Sequence, residues 1–172
     1  MKSFLAIVIV VAIAAASVGA LWPKLTGGAT ASAPSISSSV PDCEFSGLKT
    51  VTKIIDGDTV ISEGESIRLL GIDTDERGYP CYSVAKLRLE ALILGKEVEL
   101  ECDAEDKDQY GRYLRYIFYN GTNIDLQMVR EGLAVARFSP ENVKYKTEIL
   151  AAETAAREAG IGCKWNQTAW TK

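Results

Sequence analysis

Four short polar clusters lie between Asp56 and Arg112, set among runs that otherwise read as core. They are Asp56-Gly57-Asp58-Thr59, the single Arg68, Asp73-Thr74-Asp75-Glu76, and Asp108-Gln109-Tyr110-Gly111-Arg112. Hydrolysis of a phosphodiester needs hard oxygen ligands for a cation, a carboxylate for water, and guanidinium groups for phosphate. All three are present. Each cluster alone also has a plainer reading. Asp-Gly is first a turn signal, an acidic run can cap the following helix, and an arginine on a hairpin face is ordinary. Taken together, the acids would repel one another without a cation between them. Asp and backbone oxygens, with neither His nor Cys among them, select calcium or a similar hard ion.

The 172 residues include no histidine, which removes Ser-His, Cys-His and two-His zinc chemistry. A net charge of −4 gives no global basic footprint, which argues against a DNA-packaging or regulatory role. It leaves room for an enzyme whose cationic patch is local.

The elements that must hold these clusters follow from periodicity. Residues 48–60 read as a strand interrupted by Asp-Gly-Asp, and residues 66–72 as a second, joined through a tight Glu63-Gly64-Glu65 turn. This hairpin sets the first acidic cluster opposite Arg68. Val84, Leu87, Ala91 and Leu94 give a helical period closed by Gly95. Residues 97–102 alternate as a strand, and residues 113–119 form another, ending in an Asn120-Gly121 hairpin turn. A short helix spans 124–131. Ser139-Pro140-Glu141 has the residues of a helix start, and Gly160 closes that helix. The expected fold class is α+β, a small antiparallel barrel with flanking helices.

Residues 1–23 read as a signal peptide or membrane anchor, because residues 4–22 carry no charge and reach bilayer-spanning length. Residues 24–41, rich in Ser, Ala, Gly and Thr, read as a flexible linker. The folded domain is expected over 42–166, with a tail over 167–172. Four cysteines in an exported chain favour two disulfides. Cys43 and Cys163 bracket the domain, and Cys81 and Cys102 flank a helix and the strand returning from it, so the expected pairs are Cys43–Cys163 and Cys81–Cys102. The expected location is secreted, or anchored to the outer face of the cell membrane.

The runs 55–60, 67–76, 108–114 and 129–134 occur in an order that strongly resembles the staphylococcal nuclease (thermonuclease-like) family. The resemblance implies a five-stranded OB-type barrel with three helices. It implies calcium held by Asp58, Asp73 and the backbone carbonyl of Thr74, with Asp56 just behind them, and catalysis by Arg68, Glu76 and Arg112. The implied activity is calcium-dependent endonucleolytic cleavage of single-stranded or frayed DNA and RNA, leaving 3′-phosphates. Tyr110 and Tyr113 are candidates for stacking on bases. No obligate protein partner is evident; the membrane is a partner only through the N-terminal segment. One departure stands out. The family usually has Pro where this chain has Asp75, which frees the backbone beside Glu76 and adds a charge. The alternative is a non-catalytic, membrane-tethered OB-type module that binds oligonucleotides; such a module needs positive charge but no aligned carboxylate.

Overall fold

The computed structural model describes residues 43–166. The expected leader or anchor, the linker and the C-terminal tail lie outside these residues.

The chain runs through strands β1 (Gly47–Ile54), β2 (Thr59–Ser62), β3 (Glu65–Leu69) and β4 (Ile72–Asp73) into helix α1 (Tyr82–Ile93). Strands β5 (Glu97–Glu101), β6 (Tyr113–Tyr119) and β7 (Thr122–Asn123) follow, then helix α2 (Ile124–Arg130) and strand β8 (Val135–Ala136). Helices α3 (Lys146–Glu158) and α4 (Gly162–Trp165) complete the described residues, which thus hold four helices where three were expected.

The expected strand over 48–60 is two strands. The amides of Ile55 and Asp56 both donate to the Thr59 carbonyl, at 2.9 and 3.4 Å, so the Asp-Gly-Asp stretch is a tight turn. In the β2–β3 hairpin Glu63 and Gly64 both take positive φ, at 50° and 91°, the type I′ pattern whose twist suits flanking strands. Its register sets Thr59 opposite Arg68. β1 then pairs antiparallel with β5, and β5 with β6. The barrel closes through a pairing of opposite sense: β6 runs parallel to β3, with Arg68 beside Leu114. The short β4 and β8 pair separately, bringing Asp73 opposite Val135.

Alternation along β5 turns Val98 and Leu100 inward, whereas Tyr113 to Ile117 of β6 are buried on both faces. The apolar stripe that signalled α1 is not its buried face. Val84, Leu87, Ala91 and Leu94 are all exposed, and the helix buries Ala85, Leu89 and Ile93 instead. Ala85 explains the choice: a Cβ on Gly57 would lie 2.8 Å from its methyl group, so the helix rests against the acidic turn through the smallest possible pair. The start of α3 is also corrected. Ser139 accepts the Asn142 amide at 3.3 Å, as a capping residue should, but the turn goes no further. The Asn142 side chain binds Glu105 instead, and the Lys144 amide donates to Asp103 at 2.8 Å.

Both disulfides differ from the expected pairs: Cys43 bonds Cys102 and Cys81 bonds Cys163. Register explains the first. Gly47 at the start of β1 lies opposite Leu100 near the end of β5, so the residues flanking these positions meet. The second follows from α4, whose Lys164 amide donates to the Gly132 carbonyl at 3.0 Å. That contact is close enough that a Cβ on Gly132 would lie 1.9 Å from the Ile161 carbonyl oxygen. The disulfide then joins α4 to Cys81 at the N-terminus of α1.

One buried acid predicts a pH effect. Asp125 is fully buried in the first turn of α2, and burial pushes its carboxyl up to about 8, against the pull of the Ile117 amide 2.8 Å away. Between the ordinary value of 3.8 and about 8 the unfolded chain ionises while the folded one holds its proton, so this residue costs stability as pH rises through that window. Asn keeps the acceptor without the charge. The variant Asp125→Asn is therefore expected to be about 2 to 4 kcal/mol more stable than the parent at pH 8, and little changed at pH 4. Denaturant unfolding at the two pH values checks this; equal shifts at both would refute it.

Candidate active site

The acidic turn, the β3 arginine and the segment after β4 converge. The Asp58 amide donates to Asp56 Oδ1 at 3.1 Å, which fixes the turn. Asp58 Oδ2 accepts both the Thr74 amide, at 2.8 Å, and the Thr74 hydroxyl, at 2.9 Å. Its Oδ1 lies 3.1 Å from Arg68 Nη1 and accepts the Thr59 hydroxyl at 3.2 Å. The other arm of Arg68 reaches Asp73 Oδ1 at 3.0 Å and the Ile72 carbonyl at 2.9 Å. Two carboxylates, one from the turn before β2 and one from the end of β4, thus share one guanidinium. Burial pushes the Asp58 carboxyl above its ordinary range, although Arg68 and the Thr74 amide pull the other way.

Arg112 enters from the loop before β6. Asp108 grips it with one oxygen on Nε at 2.7 Å and the other on its amide at 3.0 Å. Burial opposes charge on Asp108, but the Arg112 amide and guanidinium outweigh it and hold the carboxyl below its ordinary range. Arg112 Nη1 also donates to the Thr59 hydroxyl at 3.4 Å, so Thr59 links Arg112 to Asp58. Neither Asp108 as the holder of Arg112 nor Thr59 as the link was singled out from sequence, though both stand inside the quoted motifs.

A cleft of about 470 Å³ opens here, lined by Arg68, Arg112, Tyr110, Arg137, Phe138 and Asn142 among others. Arg137 had no sequence signal. It reaches Asp73 Oδ2 at 3.1 Å, which adds a third guanidinium to the cleft wall. Tyr110 is 75% exposed, with the Arg112 guanidinium 5.5 Å from its ring centre. Tyr113 is corrected: it is 8% exposed and its ring stacks on Phe45 at 5.1 Å, so it belongs to the core.

Glu76 is the candidate least tied to the cluster. It is exposed in an irregular stretch, where its backbone carbonyl accepts the Tyr79 amide at 3.0 Å. Asp75, beside it, does not join the acids. Its Oδ2 accepts the Cys81 amide at 2.8 Å and its Oδ1 pairs with Lys164. Burial works against its charge, but the Lys164 ammonium and the Cys81 amide hold its carboxyl below the ordinary range.

The donor set fits a hard divalent cation. Asp58, Asp73 and the Thr74 carbonyl offer oxygen alone, and the two carboxylates already gather positive charge from Arg68 and Arg137. Among the described residues no three His, Cys, Asp or Glu side chains cluster, so water and substrate oxygens would complete the shell.

Fold and site together define an OB-type barrel carrying paired acids and arginines at the open end of its β2–β3 hairpin. A family model described as Staphylococcal nuclease homologue matches residues 66–167. The thermonuclease of Staphylococcus intermedius is 36% identical over 118 residues, covering 63% of this chain and 70% of the relative. The thermonuclease of Staphylococcus hyicus is 33% identical over 118 residues, with the same two shares of 63% and 70%. Endonuclease YncB of Bacillus subtilis is 32% identical over 133 residues, covering 70% of this chain and 63% of the relative. The chain belongs to the staphylococcal nuclease family.

Proposed function

We propose that this chain is a calcium-dependent nuclease that hydrolyses phosphodiester bonds endonucleolytically in single-stranded or frayed DNA and RNA, leaving 3′-phosphates. The observation that carries the reading is the pair Arg68 and Arg112, both lining one cleft, with Arg68 paired to Asp58 and Arg112 to Asp108. An oligonucleotide-binding module needs no such alignment. The relatives named as thermonucleases and an endonuclease support the same reading.

Calcium held by Asp58, Asp73 and the Thr74 carbonyl would neutralise charge on the phosphate. Arg68 and Arg112 bind the non-bridging oxygens, and Arg112, with Asp108 fixing its Nε, stabilises charge on the departing oxygen. Glu76 accepts the proton of the attacking water or orients it. Tyr110 offers a ring face that any base can use, so sequence preference is modest.

The domain boundaries proposed are 42–166 for this unit, after a leader or anchor and a linker, and the location proposed is secreted or on the outer membrane face. Two disulfides support an oxidising compartment. No helix among the described residues is long and apolar enough to cross a membrane.

The test is cleavage of single-stranded DNA by the purified protein with calcium and with excess chelator. Activity is expected only with calcium. Equal cleavage in chelator overturns the metal assignment, and oligonucleotide binding without cleavage under either condition favours the binding module.

A further inference from the structure

Glu76 sits in a stretch without regular structure, between β4 and α1, and its carboxylate is exposed. Its position must therefore come from how its neighbours are anchored. On one side Thr74 is fixed by two hydrogen bonds to Asp58. On the other, Asp75 is held twice. Its Oδ2 accepts the Cys81 amide across the loop, and its Oδ1 pairs with Lys164 of α4. Both side chains of that ion pair are only 17% exposed, so water screens it less than a surface pair. A covalent bond runs beside this pair: Cys81, whose amide Asp75 accepts, is bonded to Cys163, next to Lys164. The anchor is closely packed: α4 lies backbone to backbone on Gly132, with no room for a Cβ at Gly132 or Gly162. Asp75 thus has both oxygens committed away from the paired acids.

We propose that Asp75 and Lys164, backed by the Cys81–Cys163 bond, are positioning residues that clamp the Glu76 loop onto α4, so that Glu76 acts from a rigid backbone. This inference rests on the role given to Glu76 above. Besides closing the fold, α4 then anchors the loop that carries the carboxylate.

The test uses the full chain with Lys164→Gln, Lys164→Arg and Asp75→Asn, in the parent and in a Glu76→Gln background. Hydrogen exchange reads the loop directly and needs no activity. Amides 75–81 are expected to exchange at least about tenfold faster in Lys164→Gln and Asp75→Asn, with protection in the barrel strands unchanged. With calcium and single-stranded DNA, kcat is expected to fall by about tenfold to a hundredfold in Lys164→Gln while KM stays within about twofold. Lys164→Arg restores both readouts because it keeps the charge. In the Glu76→Gln background Lys164→Gln lowers kcat no further. Unchanged exchange over 75–81 overturns the clamp. Equal kcat losses in both backgrounds overturn the link to Glu76. If the parent shows no cleavage at all, the nuclease reading falls on its own, and the exchange result still decides whether Asp75 and Lys164 hold the loop.

Discussion

Replacing Glu76 by Gln is expected to cut turnover by roughly a hundredfold or more, while thermal stability and oligonucleotide binding stay close to those of the parent. The two side chains have the same shape, and only the carboxylate can take a proton from water. Stability should not move because the group is exposed and no described residue hydrogen-bonds its side chain. This separates Glu76 from Arg68, whose guanidinium also donates to the Leu69 and Ile72 carbonyls. Arg68→Lys would leave buried acceptors unpaired as well as lose the planar fork, so its loss of activity would come with a loss of stability. Single-turnover cleavage of single-stranded DNA with saturating calcium, alongside thermal melts, makes the distinction. Near-normal turnover in Glu76→Gln would remove this residue from the mechanism and leave the arginines and the ion as the whole apparatus.

Why Glu76 could be picked out while its supports could not is a matter of range. The hairpin that sets the acidic turn opposite Arg68 was legible because Glu63-Gly64 encodes its own turn, and a two-residue turn fixes the register. Asn120-Gly121 was legible for the same reason, with φ of 48° and 74°. Asp58, Arg68, Asp73 and Arg112 were recognisable from short motifs, and the structure brings all four to one end of the barrel. Arg137 and Lys164 were not. Each is a single charge in an unremarkable segment, brought to the site by pairings across more than sixty residues of chain. The closure of β6 on β3 was equally hidden, since neither strand carries a mark of its partner's direction. Helix α1 was legible, but its buried face was not, for a subtler reason. Its apolar residues outnumber its buried ones, and the stripe that packs is chosen by the space left beside Gly57. The buried Arg115 also sits inside a run that reads as core. It lies within β6, fully buried, because the carbonyls of Glu44, Phe45 and Asp106 and the Asp106 carboxylate surround it.

That cage around Arg115 bears on the two disulfides, whose removal is expected to have different consequences. The bonds close loops of 59 and 82 residues, and by chain entropy each contributes about 4 kcal/mol. Replacing either pair by Ser should therefore cost a similar amount in denaturant unfolding. Activity of the folded fraction should not follow suit. Cys43–Cys102 ties the start of the domain to the end of β5, just before the loop that carries Arg112. That loop is held independently, by Arg115 on Asp106, by the Leu114 amide on the Asp106 carbonyl at 2.9 Å, and by Asp108 on Arg112. Turnover should therefore survive the loss of this bond. Cys81–Cys163 instead backs the Asp75–Lys164 pair, so its loss should lower kcat as well as stability. Peptide mapping without reduction, on protein whose thiols are blocked as the cells are opened, reads the pairing and the compartment together. Four blocked thiols would place the domain in a reducing compartment and sink the proposed location. If both double variants lost stability and turnover in parallel, the bonds would be two equal staples, and the distinction between an anchor for the fold and an anchor for the Glu76 loop would fail.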